Sequence, residues 1–356
     1  MNLTPIYRKY GTKILIIPLV AFVLFAYLAT VNPGISYGID FKGGVRVSFS
    51  STHPVPVDAI AEKIRRELGV PEVSVVPTEV PGTGKYGGIV EVVYPDDLFT
   101  KGGDASDPTK DFKDAVIQII KSEVPDAENI VIRDIVPALG AKFWELAVKM
   151  LLLAVFLLKV VVLIAFRHNT PVAKVLGVLL LDVAVILLAH FKVLDPLVAL
   201  AVILIDTVAL AIIAPSATPA VVMLWSSVFD ALGMLALMAV FNVPLTLQTI
   251  MIILMMVGYS IDTDIVLSTH ILKRSEREEG DEYERAGRAS STGLHMSGTT
   301  LVSMLFILAV GYLTRNLSVI RIGMVMIFGV VSDVIITWLF NAPLMIAWVR
   351  KNASNA

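Results

Sequence analysis

The sequence predicts an α-helical polytopic membrane protein with one external α+β domain of ferredoxin-like pattern. Three observations predict it. Of the 356 residues, 56% are apolar and only 17% charged, a balance rare in soluble domains. The apolar residues gather into eight stretches, each close to the roughly 20 residues that cross a hydrocarbon core of about 30 Å. A single long polar stretch, 32–140, separates the first from the second.

The first apolar stretch, 14–31, follows Arg8, Lys9 and Lys13 in the manner of a secretory leader. It is long, however, and no small-x-small cleavage site follows it, so it reads as a retained anchor. The polar stretch contains no cysteine, so its domain is expected to stand on its own core without disulfides or thiolate metal sites. An alternating run, Gly44-Val45-Arg46-Val47-Ser48-Phe49-Ser50, precedes an amphipathic helix at 57–68, and 73–77 and 88–94 read as strands. Pro108-Thr109-Lys110-Asp111 opens a helix to about 123, and 129–135 reads as a last strand. The order β-α-β-β-α-β is the split βαβ pattern. Loops 81–86 and 100–106, rich in Gly, Pro and Asp, are expected to be mobile.

The remaining spans are expected at 147–166, 173–191, 196–214, 219–241, 246–271, 297–314 and 322–349. Short connections at 191–195 and 215–219 also leave 173–241 open to fewer, broken or re-entrant helices. The chain thus divides into an N-terminus and first span (1–31), an external domain (32–140), a helix bundle (141–350) with an apparent extra hairpin at 167–214, and a tail (351–356). Basic residues set the orientation. The N-terminal cluster, Arg167 with Lys174, the loop with Lys273, Arg274, Arg277, Arg285 and Arg288, and Arg350 with Lys351 fall on one side, whereas Lys192, Arg315 and Arg321 fall on the other. Both termini are therefore expected in the cytoplasm of a cell-membrane protein embedded in the lipid bilayer. A net charge of −2 gives no sign of nucleic-acid binding, and the mixed-charge segment 275–293 reads as a solvated loop without a phosphate-cradling glycine motif. No metal site, cofactor or catalytic enzyme is indicated.

The apolar stretches carry acids. Within 245–271 the run Gly258-Tyr259-Ser260-Ile261-Asp262-Thr263-Asp264-Ile265-Val266 places two carboxylates near mid-membrane, where each costs roughly 2.5–3.5 kcal/mol to insert. Proton or ion movement is the functional reason to keep them, and helix-to-helix hydrogen bonding is the structural one. Positions two apart on a helix face nearly opposite ways. Asp264 shares a stripe with Ser260 and Ser268, and Asp262 another with Gly258, Tyr259 and Thr269. One acid is expected to face helices of this chain and the other a second subunit. Asp230 and Asp333 lie in the same half of the chain and are further proton-relay candidates. Asp182 and Asp206 read as one packed polar contact with each other, Lys159 as a residue snorkelling toward the cytoplasm, and His270 as an interface residue.

Four landmarks together resemble the SecF family of the SecD and SecF protein-export accessory complex, within the resistance-nodulation-division superfamily. Tyr37-Gly38-Ile39-Asp40-Phe41-Lys42-Gly43-Gly44 is similar to that family's G-[IL]-D-F-x-G-G after the first span. Val136-Pro137-Ala138-Leu139-Gly140 opens the second span, Gly258 to Val266 forms the acidic one, and Ser297-Gly298-Thr299-Thr300-Leu301 follows the basic loop. Asp262-Thr263-Asp264 departs from the bacterial Asn-Asp form and is similar to the archaeal one. The extra hairpin is a second departure, since the family has six spans.

The resemblance implies a subunit that works with a SecD-like partner beside a SecY-type translocon. There it would help to move exported, unfolded polypeptide by coupling its external domain to proton flow through membrane carboxylates. Gly38, Gly43 and Gly44 read as hinges between helix and strand, and Asp40 as a local cap. Two other classes remain: a stand-alone proton-driven transporter of small molecules, against which the single external domain and the lack of a repeated half argue, and a structural scaffold.

Overall fold

The computed structural model describes residues 2–70, 73–80, 84–95, 108–166, 170–273, 280–314 and 316–353. Loop 100–106, the first half of loop 81–86 (81–83) and the side chains of Arg167, Lys273, Arg274, Arg277 and Arg315 lie outside the described residues, and Lys85 and Tyr86 open the strand Lys85–Val93. In chain order the elements are α1 (Thr4–Tyr10), α2 (Ile16–Thr30), α3 (Ile39–Lys42), β1 (Gly44–Ser51), α4 (Val57–Leu68), β2 (Val73–Val80), β3 (Lys85–Val93), α5 (Pro108–Glu123), β4 (Glu128–Ile135) and α6 (Pro137–Phe166). They continue with α7 (Val172–His190), α8 (Pro196–Ile213), α9 (Thr218–Val240), α10 (Leu247–Ser268), α11 (Glu282–Leu313), α12 (Leu317–Ile336) and α13 (Ala342–Ala353). A π turn, Thr337–Asn341, joins α12 to α13.

The α+β domain forms a four-stranded antiparallel sheet in the order β2-β3-β1-β4, as the split βαβ pattern requires. Its core follows from period-two alternation: Val45, Val47 and Phe49 of β1 point inward with Val90 and Val92 of β3, and Ile60 and Ile120 of α4 and α5 cover them. Helix α4 stops at Gly69, whose φ of 67° closes the last turn.

Among the described residues, eight helical stretches are long and apolar enough to cross a membrane. The stretch 172–240 is three such helices, α7, α8 and α9, rather than a broken or re-entrant arrangement. Leucines, isoleucines and valines on the outer faces of α2, α6, α7 and α8 are exposed, as hydrocarbon contact demands.

One expectation gives way. The 275–293 segment is not wholly a solvated loop, because α11 begins at Glu282, capped by the Asp281 side chain accepting from the Glu284 N–H at 2.9 Å. Arg285, Ala286, Ala289, Ser290 and Gly293 are buried there. The covering element is α1: the Leu3 N–H donates to Ser290 Oγ at 3.1 Å, and a Cβ on Gly287 would lie 1.8 Å from Thr4 Oγ1. The expected last span, 322–349, lies within one continuous helical stretch, Leu317–Asn352, in which the π turn is a local widening. Both chain ends meet at one end of the bundle, where Arg350 contacts Tyr283 and Arg8 pairs with Asp281 at 2.8 Å. The α+β domain sits at the other end.

Candidate functional site

Asp230 of α9, Asp264 of α10 and Asp333 of α12 converge in the bundle interior, each at most 1% exposed. Helical spacing brings the polar partners. Asp333, Thr337 and Asn341 are four apart along one stripe, and the π turn keeps Thr337 and Asn341 fully buried. Ser260, Asp264 and Ser268 form the matching stripe on α10, all buried. Close approach of the helices needs small residues: a Cβ on Gly233 would lie 2.1 Å from Ser332 Oγ, and one on Gly329 2.8 Å from Met256 Cε.

The Thr337 hydroxyl lies 2.9 Å from Asp264 Oδ1 and 3.0 Å from Asp333 Oδ1. A hydroxyl has one proton to donate, so it satisfies one carboxylate. The second contact is attractive when the other carboxyl is protonated and donates back. Asp230 Oδ2 accepts from the Ser260 hydroxyl. One oxygen of each acid (Asp230 Oδ1, Asp264 Oδ2, Asp333 Oδ2) is buried without a hydrogen-bond partner, as is the Asn341 amide. Among the described residues no basic side chain acts on the three. A protonated acid turns such an orphan acceptor into a donor and removes the cost of a buried charge.

Asp262 does not join this cluster. It is exposed on the outer face of α10 in line with Met251, Met255 and Gly258, as the 100° step between residues requires. A Cβ on Gly258 or Gly298 would meet open space. Tyr259 contacts the buried Ser297 at 3.3 Å, while Thr299 is exposed and Thr300 half-buried on α11. His270 holds the Val266 carbonyl through Nδ1 at 2.9 Å, at the end of α10.

The G-I-D-F segment grips the far end of the acid-bearing helix. The Gly38 N–H donates to Leu245 O at 2.7 Å, the Leu245 N–H donates to Ser36 O at 2.8 Å, and Asp40 Oδ2 accepts from the Leu247 N–H at 3.1 Å. Asp40 is therefore not a local cap; it meets the first turn of α10, where free N–H groups and the helix dipole favour an anion. Only Gly43, with φ 83°, acts as the expected hinge. Gly38 and Gly44 are extended, and they serve close packing, since a Cβ on Gly38 would lie 2.6 Å from Thr246 Cγ2 and one on Gly44 2.4 Å from Val92 O. Phe41 packs edge-on against Trp144 of α6 at 5.6 Å, and a Cβ on Gly140 would lie 2.4 Å from Phe41 O.

A second grip holds α12. Arg321, in its first turns, reaches Glu91 of β3 at 2.8 Å, and Arg46 reaches the same carboxylate at 2.6 Å. Burial pushes the Glu91 carboxyl up, but Arg321 and then Arg46 outweigh it and hold it below the usual carboxylate range. Sequence reasoning had no signal for this pairing between distant elements. Thr337 and Asn341 were legible as the i+4 and i+8 continuation of Asp333.

Lys159 does not snorkel. It is fully buried and pairs with Asp182 at 2.8 Å and with Asp206, so the polar contact of the α7–α8 hairpin is centred on a cation of α6 rather than on the two acids alone.

Two family profiles match: "SecD/SecF GG Motif" over 29–55 and "Protein export membrane protein SecD/SecF, C-terminal" over 193–351. The chain is 28% identical over 339 residues to the protein-export membrane protein SecF of Methanopyrus kandleri, covering 95% of this chain and 96% of that one. It is 35% identical over 130 residues to SecF of Haloferax volcanii, a match that spans 36% of this chain and 44% of that relative. The crystal structure of SecDF, a translocon-associated membrane protein from a Thermus species, superposes with a TM-score of 0.59 at 17% identity, over 98% of this chain. The chain spans only 39% of that structure's length. The chain belongs to the SecF branch of the SecD/SecF family of protein-export membrane proteins.

Proposed function

We propose that this protein is the SecF-type half of a SecD–SecF assembly that assists translocation of unfolded polypeptide at a SecY-type translocon. Proton passage through Asp230, Asp264 and Asp333 shifts α10 against α12. Both helices carry an acid at mid-depth and are held at the far end by the α+β domain, through Gly38 and Asp40 on α10 and through Glu91 on α12. A change of charge among the acids thus has a mechanical route outward. The termini are cytoplasmic and the domain, residues 32–140, is external, as the basic residues predict. Asp262, on the exposed stripe of α10, faces the SecD-type partner.

The single observation that carries the reading is one Thr337 hydroxyl shared by two buried carboxyls, a geometry balanced by a proton. The driving force is sufficient: 100 mV supplies about 2.3 kcal/mol per charge, roughly 50-fold in a two-state equilibrium. The test is reconstitution with a SecD-type partner and a Sec translocon in vesicles under an imposed proton gradient. D264N and D333N are expected to lose the gradient-dependent part of export. Equal gradient dependence in wild type and both variants refutes the proposal.

A further inference from the structure

The α6, α7 and α8 helices hold an ion cluster that the acid site of α9, α10 and α12 does not use. We propose that Lys159, Asp182 and Asp206 form a second proton site, in which the two carboxylates hold one proton between them beside the ammonium group. The inference stands independently of the proposed function.

Lys159 and Asp182 have fully buried side chains, and that of Asp206 is 11% exposed. The ammonium donates to Asp182 Oδ1 at 3.0 Å, to Asp206 Oδ1 and to the Ile203 carbonyl at 3.3 Å. All three of its protons are therefore committed. Because both carboxylates bind the same nitrogen, they lie within the ~4–6 Å over which like charges oppose each other's ionisation. Two carboxylates hydrogen-bond each other when one carries a proton. Asp206 Oδ2, buried and accepting no hydrogen bond, is free to bear it, whereas both oxygens of Asp182 lie against the ammonium, Oδ2 at 2.8 Å and Oδ1 at 3.0 Å.

Charge decides the ligand. One cation and two ionised acids leave a net negative charge in apolar helices, whose desolvation costs several kcal/mol. A metal ion would have to settle beside the ammonium that occupies the centre, whereas a proton neutralises the cluster without adding a repelled charge. The other titratable groups of the surrounding helices do not contribute. Lys142, Lys174, His190 and Asp195 lie toward the helix ends, Glu145 and Lys149 pair with each other at 2.8 Å roughly three turns or more along α6 from Lys159, and Asp230 and Asp264 belong to the acid cluster. Alpha-9 meets α8 through the Trp225 indole, which donates to Thr207 Oγ1 at 3.2 Å. Asp206, the one member with an open edge, is where the proton enters and leaves.

The test uses the full chain in lipid discs and infrared spectroscopy in H2O and D2O, comparing wild type with D206N and, separately, D182N. Each variant leaves Lys159 paired one-to-one with the remaining carboxylate. Each is expected to lose the isotope-sensitive C=O absorbance of one protonated carboxyl per chain while the ionised-carboxylate absorbance is unchanged. Loss of ionised-carboxylate absorbance instead, in either variant, identifies a permanently anionic cluster and overturns the proposal. Either variant alone decides the question if the other does not fold. In K159M the proposal expects one further protonated carboxyl, and no gain there counts against it.

Discussion

The bundle solves one problem twice, in two different ways. In the α6–α8 region buried acids surround a lysine, and attraction to the ammonium offsets most of their desolvation. In the α9–α10–α12 region three buried acids have hydroxyls and an amide as neighbours and no cation among the described residues. The first arrangement is a lock whose parts depend on one another. The second is favourable only with protons bound, so its energy responds to proton supply. On the proposed function, the response to a gradient belongs to the acids without a counter-ion, while the lysine-centred acids keep one proton that balances their charge.

The largest effect is expected from removing the lock's centre. K159M takes the cation away from the one ionised carboxylate of the cluster in apolar surroundings, and breaking a buried ion pair by taking away one partner costs about 3–5 kcal/mol. Equilibrium unfolding in bicelles measures it. The triple variant K159M/D182N/D206N should regain most of that loss, because charge and counter-charge leave together. If K159M unfolds like wild type, the contrast between the two regions is wrong.

Next comes the attachment of the domain. R321Q leaves Glu91 with Arg46 alone, a loss of about 1–3 kcal/mol for one charged hydrogen-bonded pair. It should appear as faster amide hydrogen exchange in β3 and the first turns of α12, with the acid cluster unchanged. The pH dependence has a definite sign. Because Glu91 is held below the ordinary carboxylate value of about 4.3, its contribution is complete at neutral pH. It is lost as pH falls below that ordinary value and through the depressed one. Domain protection that grows stronger in acid contradicts this assignment.

T337V tests the shared hydroxyl with almost no change of volume. One hydrogen bond lost from the acid cluster is worth about 1 kcal/mol, and the pH profile of export should change while T337S restores it. A profile identical in T337V and wild type removes Thr337 from the site.

Much of this architecture is legible in the residues, for reasons that differ by element. Hydropathy finds the spans because burial in lipid is a local requirement. Alternation finds β1 and β3, and a four-residue stripe links Ser260 with Asp264. The first turns of α11 escape a hydropathy reading because they are small and polar and their cover is α1, yet Asp281 and Glu284 form a capping pattern and Ala286, Ala289, Ser290 and Gly293 a small-residue face. Lys159 with its acids, Asp40 on α10, and Glu91 with Arg321 leave no local trace. Each pairing depends on how separate elements dock, and periodicity within one helix or strand carries no record of its neighbour.

The smallest stability change is expected where the functional loss is greatest. If Asp264 is protonated in the resting protein, D264N replaces a neutral acid by a neutral amide of nearly equal size that still accepts from Thr337, and stability should stay within about 1 kcal/mol of wild type. The amide cannot give up a proton, so gradient-dependent export should vanish in the same variant. Set beside K159M, this separates the two regions: the lysine-centred cluster loses stability when its charge balance is broken, whereas the titrating acid loses only its response to the gradient. A fall of several kcal/mol in D264N would place Asp264 with the lysine-centred cluster, as part of the lock.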